Sequence, residues 1–275
     1  MKKYFITLVA LLVTTIQMSA NTSCSKNDDE DVRYFEQLIE LSRKGNADAC
    51  FSLSQCYKEG RGVRKSELNA FLMYMFYTKR ANKDFYDMLN SLDDTNIFKI
   101  ASYIETKKYS VEDVVEKAQL LRNSNPGDAR VLDLFKVLLT DEKQYKNYQF
   151  IEQSLKEAEV MGSEMASVIR YVVYSSYDYE RSIEYLLEIS PKYPALYNIG
   201  GCVLYEQFKT SEKKDIKLLR TAVKQYLAAD KNGILGRSGA RNLIYIHETY
   251  GNKAFKCSKQ EMDRLKMLAN INSNN

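Results

Sequence analysis

The stretch KEGRGVRKSELNA, Lys58–Ala70, decides how this chain is read. Two glycines, Gly60 and Gly62, stand one residue apart ahead of a segment with helical spacing. A phosphate cradle wants such glycines between a β-strand and a helix N-terminus, with a P-loop lysine or a third glycine. Here the third glycine is missing from the required place, and what precedes the loop has helical spacing. Ala49, Leu53 and Tyr57 recur every fourth position and stack along one helix face. Gly60 suits the left-handed conformation that ends a helix, which glycine adopts without steric cost. Val63 projects an apolar side chain, and Ser66 is the N-cap of a second helix whose stripe is Ala70, Met73, Tyr74 and Tyr77. The loop is therefore read as the hinge of a helical hairpin.

Taken with its surroundings, GNADACFSLSQCYKEGRGVRKSELNAFLMY resembles a Sel1-like repeat, the helix–loop–helix relative of the tetratricopeptide repeat. The matched positions are Gly45, Ala49, Leu53, Tyr57, Gly60, Gly62, Val63, Ala70 and Tyr74. Departures fall at Ser54, Ser66, Tyr77, Thr78 and Ala81, so the second half of the repeat is eroded. DYERSIEYLLEISPKYPALYNIG (Asp178–Gly200) resembles a tetratricopeptide helix, turn and following helix, with Pro191 and Pro194 stopping one helix and starting the next. AVKQYLAADKNG (Ala222–Gly233) places Ala222, Tyr226, Ala229 and Gly233 at repeat positions.

Elsewhere periodicity carries the reading. Asn125-Pro126-Gly127 breaks the chain before a helix over Ala129–Leu139, and Gly162 breaks it before one over Glu164–Tyr174. Breaks at Gly127, Gly162 and Pro194 lie roughly in the mid-thirties of residues apart, a repeat period. Ser110-x-x-Asp113 and Ser258-x-x-Glu261 read as capping boxes. The expected fold is all-α, an α-solenoid of stacked antiparallel hairpins over residues 32–269, with a polar tail at 270–275. Each hairpin buries its stripe only against its neighbours.

With 275 residues, 45% hydrophobic and 28% charged, the chain can bury a large core. The formal charge of +4 falls to about +2 if Lys2 and Lys3 are removed with a signal peptide, so a nucleic-acid stripe is not expected. MKKYFITLVALLVTTIQMSANTSC has two lysines, an apolar run over Tyr4–Val13 and small polar residues, the layout of a secretory signal. Cys24 sits where a bacterial lipoprotein is cut and acylated, although Asn21 departs from the usual apolar lipobox residue. The following Ser25–Asp31, rich in acids, resembles the tether of Bacteroidetes lipoproteins, where such acids accompany surface export. The expected organisation is a signal peptide at 1–23, a flexible tether at 24–31 and the helical domain. The resemblance implies an outer-membrane lipoprotein, surface-exposed or not; a cut after Ala20 would instead give a soluble periplasmic product.

His247 is the single histidine, and no family signature surrounds Cys202 or Cys257 as a nucleophile. Cys50 and Cys56 lie six residues apart on one helix, about 9 Å along its axis, too far for a disulfide. A Cys202–Cys257 bridge stays open from the sequence. Asp93-Asp94 reads as a helix start, where acids favour the N-terminal dipole. No catalytic residue, cofactor or metal site is expected. Tyr171, Tyr174, Tyr177 and Tyr179, then Tyr193, Tyr197, Tyr205 and Tyr226, are divided between core and any binding face, and the sequence does not say which face binds.

The resemblance implies a non-enzymatic scaffold that recognises proteins or peptides, held to the membrane by its lipid. The alternative is a surface glycan-binding lipoprotein, with tyrosines stacking on sugars. The absence of tryptophan weighs against that alternative.

Overall fold

A computed structural model describes residues 29–270, apart from 95 and 107. Every regular element among these residues is helical. They divide into two compact units. One is Phe85–Tyr185; the other joins residues 29–84 to residues 186–270.

The two-segment unit begins with α1 (Asp29–Arg43), α2 (Ala47–Glu59) and α3 (Glu67–Arg80). Asn46 caps α2 by accepting from the Ala49 N–H, and Gly60 ends it at φ +79°, donating its N–H to the Cys56 carbonyl. Ser66 Oγ accepts from the Asn69 N–H and starts α3. Val63, in the turn, is buried with Leu53, Leu68, Leu72 and Met73. Burying such side chains contributes about 1.5–3 kcal/mol apiece, which holds α2 and α3 together as an antiparallel pair.

The other unit contains α4 (Phe85–Asn90), α5 (Ile97–Glu105), α6 (Val111–Leu121), α7 (Pro126–Thr140), α8 (Tyr148–Val160) and α9 (Glu164–Tyr177). Its limit at Tyr185 falls inside α10 (Tyr179–Ile189). The predicted capping box is present, Ser110 and Asp113 each bonding the other's backbone N–H. Proline occupies the first position of α7, where its missing N–H costs nothing, and Asn125 is the cap. Asp93 and Asp94 are not the cap of α5. Asn96 is, accepting from Phe98 and Lys99, while Asp94 pairs with Lys99 Nζ at 2.9 Å.

Returning to the two-segment unit, the chain forms α11 (Tyr197–Thr210), α12 (Ile216–Lys231), α13 (Arg237–Tyr250) and α14 (Lys259–Asn270). Helices α11 and α12 pair as closely as α2 and α3. Ala222, Tyr226 and Ala229 are fully buried along α12, and Gly233 follows it at φ +81°.

In a linear array each hairpin touches only its chain neighbours. Here α1 packs on α12 as well. Ser42 Oγ donates to the Gly233 carbonyl, 191 residues away. Asp230, 4% exposed, accepts through Oδ2 from Arg43 at 3.1 Å and Arg264 at 2.7 Å. The carbonyls at the end of α1 are capped by arginines of other helices. Arg80 Nη1 donates to Ser42 at 2.9 Å and Arg264 Nη1 to Arg43 at 3.0 Å. Cations at a helix C-terminus are favoured by its partial negative charge.

Asp29, Glu30 and Asp31, read from sequence as part of a flexible tether, form the first turn of α1. Their charges suit the helix N-terminus, and Asp31 accepts from Arg61 Nε at 2.6 Å, tying that turn to the glycine loop. The helical domain thus starts at Asp29 rather than at the expected residue 32. At the other end α14 runs through Asn270, the first residue of the expected tail. The signal segment, Cys24 and the rest of the expected tether lie outside the described residues.

Candidate functional site

The central tyrosines divide by depth. Tyr171 and Tyr174 are buried, whereas Tyr177 and Tyr179, three and five positions after Tyr174, are exposed. Tyr177 is not alone on the surface. Its ring stacks on Tyr148 at the start of α8, with centroids 4.4 Å apart and planes at 25°. Both rings remain more than a third exposed. Two stacked aromatic faces held at the surface offer rigid apolar area with hydroxyls attached, the character of interface anchors.

Below the rings lies a network of charges. Glu152, one turn after Tyr148, accepts from Tyr174 Oη at 2.8 Å, Arg181 Nη2 at 2.9 Å and Tyr177 Oη at 3.3 Å, and pairs with Lys156 Nζ at 2.6 Å. Glu159, two turns further along α8, accepts from Tyr185 Oη at 2.6 Å and from Arg170. The Arg170 guanidinium lies over the Tyr185 ring at 4.1 Å, and that of Arg181 over Tyr174 at 4.6 Å. These cation–π contacts hold the arginines over the tyrosine faces. Helices α8, α9 and α10 are thereby joined by one interlocked set of side chains.

Partial burial works against ionising Glu152, but its bonds from Lys156 and Tyr174 and the charges of Lys156 and Arg181 prevail and hold it down to about 2. Burial and the Glu152 carboxylate push Tyr177 up to about 12. Burial and a bonded carboxylate likewise raise Tyr174 and Tyr185. At neutral pH the Glu152 carboxylate is therefore ionised and the Tyr174, Tyr177 and Tyr185 phenols are protonated.

The other residues singled out from sequence have structural surroundings. Tyr57 is buried, edge-on to Phe35 at 5.5 Å, and Ala49, Leu53, Val63 and Ala70 are buried around the α2–α3 pair. Tyr74, half-buried, stacks on Tyr77 at 5.9 Å with Phe51 beside both. Gly45 and Gly62 have φ of +88° and +65°. His247 is half-buried, its ring against Phe255 and Nδ1 3.3 Å from the Phe255 carbonyl. Cys50 and Cys56 are buried, and burial raises both thiols. Cys202 and Cys257 are both free cysteines, so no bridge joins them. Tyr193, Tyr205 and Tyr226 are core residues, and Tyr197 is half-buried.

Gly201 and Gly239 escaped the sequence reading. A Cβ on Gly201 would come within 2.6 Å of the Tyr226 ring, and one on Gly239 within 3.3 Å of it. These glycines let α11 and α13 close around that tyrosine. The signal was available: a glycine inside a helix costs about 1 kcal/mol against alanine, so two of them imply close approach. Glu152 and Arg181 were missed because nothing in a helical pattern distinguishes a charge that meets three partners from one facing water.

No protein-family model matches the chain, and no curated protein matches it. Among solved structures, a Sel1 repeat protein from Oxalobacter formigenes aligns with 86% of this chain and 98% of its own, at 18% identity. The TM-score of that alignment is 0.41, which is too low to equate the two folds.

Proposed function

We propose that this protein is a non-enzymatic scaffold, held at the bacterial envelope through Cys24, that binds a protein or peptide partner on its helical surface. The observation that carries the binding reading is the exposed Tyr148–Tyr177 stack, fixed from beneath by Glu152 and its cationic partners. Those rings are pre-ordered, so a partner that covers them loses little side-chain freedom on their account. Anchoring is supported by the sequence alone: a short apolar signal followed by a cysteine and a polar stretch. The same rings could stack on a sugar, which keeps surface glycan binding as the second reading.

A photo-crosslinking residue at Tyr148 of the full-length chain, expressed in a bacterial host that exports it, tests the binding reading. A discrete protein adduct is expected at Tyr148 and not at exposed Lys136 on α7. Adducts equal at both positions would refute it, and glycan-array binding lost in Tyr148→Ala would move the assignment to sugars. Labelling with a clickable palmitate analogue, lost in Cys24→Ala, tests the anchor; equal labelling of both forms would remove it.

A further inference from the structure

The last hairpin carries a groove separate from the tyrosine stack. Helices α13 and α14 run antiparallel, with Arg237 Nε donating to the Ala269 carbonyl at 3.1 Å. Along them opens a cavity of about 280 Å³ lined by Arg241, Ile244, Tyr245, Glu248, Lys266 and Ala269. The α13 residues fall at i, i+3, i+4 and i+7, a single helix face. Ala269 is buried and Ile244 half-buried, giving an apolar floor, while the Tyr245 side chain stands 55% exposed beside it.

The charged residues of this groove differ from those around it. Arg220 donates to the Lys253 carbonyl, Arg237 to Ala269, and Arg264 to Asp230 and Arg43. The Arg241, Lys266 and Glu248 side chains are exposed and make no hydrogen bond or ion pair with any described residue. The antiparallel register set by Arg237 and Ala269 puts Arg241 and Lys266 at the same level on opposite walls. Glu248 lies two turns along α13, about 10 Å away. Two cations lining one groove with an apolar floor, neither paired with a described residue, favour an anion seated between them.

We propose that this groove binds an acidic peptide segment of a partner protein. A carboxylate of the peptide sits between Arg241 and Lys266, where the guanidinium accommodates it with two parallel N–H bonds. An adjacent apolar side chain rests on Ile244 and Ala269 against the Tyr245 ring. A backbone N–H or basic side chain further along donates to Glu248. Charge complementarity selects this occupant, because the two cations lie at one level of the groove and the single acid two turns away.

Selection of randomised decapeptides displayed on their encoding RNA, against the full-length chain, tests this. Enriched peptides are expected to carry Asp or Glu within a few residues of an apolar side chain. A fluorescein-labelled enriched peptide should bind at least tenfold more weakly to Arg241→Gln, and at least thirtyfold more weakly to a variant combining Arg241→Glu and Lys266→Glu. Thermal unfolding should be unchanged in both, since neither side chain has a partner among the described residues. Combining Tyr148→Ala with Tyr177→Ala should leave this binding intact, which separates the groove from the tyrosine stack. Enrichment without acids, no enrichment, or equal binding to the charge-reversed variant would overturn the proposal. A change in sedimentation mass on charge reversal would also overturn it, showing a second copy of the chain as the occupant.

Discussion

Replacing Asp230 with alanine probes the contact between the two chain segments of the 29–84/186–270 unit. The carboxylate is 4% exposed and bonds Arg43 and Arg264 through one oxygen, at 3.1 and 2.7 Å. Removing one member of a fully buried pair costs about 3–5 kcal/mol, because the other charge is left uncompensated. Here the cost is smaller. The Arg43 and Arg264 side chains keep 24% and 15% exposure, and Glu261 still pairs with Arg264 at 2.6 Å. The expected loss is about 2–3 kcal/mol, which for a chain of this size lowers Tm by roughly 5–10 °C. Urea denaturation gives the total, and hydrogen exchange locates it: amides of α1 and α12 should lose protection first. A cycle with Arg264→Met should show coupling of about 1–2 kcal/mol between the two positions. A loss under about 0.5 kcal/mol with α1 exchange unchanged would refute the argument that this cluster holds the segments together.

Two further perturbations address the hinge loop and the charge network. Gly62→Ala places a side chain at φ +65° and drives its Cβ into the Asp31 carbonyl, 2.6 Å from the carbonyl carbon. A loss of about 2–3 kcal/mol by urea melt is expected, with protection falling at the start of α1; an unchanged midpoint would show that α1 does not rest on the loop. Glu152 is the pH probe. Its acidity is enhanced in the fold, from an ordinary 4.5 to about 2, so its contribution is complete above pH 4.5 and is lost as pH falls through 2. The magnitude, discounted for the exposure of Lys156 and Arg181, is about 1–2 kcal/mol. The stability gap between wild type and Glu152→Gln should therefore close between pH 5 and 2, and a pH-independent gap would contradict the network.

Local structure was legible where it depends on neighbours in sequence. Gly60 ending α2, Ser66 starting α3, the Ser110–Asp113 box and the Gly162 break are each set by a few adjacent residues, and each stands where the pattern put it. The acids Asp29–Asp31 show where such reading fails. Their composition alone matches a solvated leash, and only the Arg61 side chain and the dipole of α1 account for their order. Tyr174 and Tyr177 lie on the same helix three residues apart, yet one is core and the other surface. Their separation follows from how α8 and α10 cover α9.

Helical hairpins, their hinges and their buried stripes were thus determined by the sequence, because hydrophobic period, caps and left-handed glycines act within about a dozen residues. The meeting of Ser42 with Gly233 and of Asp230 with Arg43 and Arg264 was decided only by the tertiary structure. So were the stacking of Tyr148 on Tyr177 and the placing of Arg241 and Lys266 along one α13–α14 groove. Each depends on which helix faces come together, and helix periodicity says that a face is apolar without saying what will cover it.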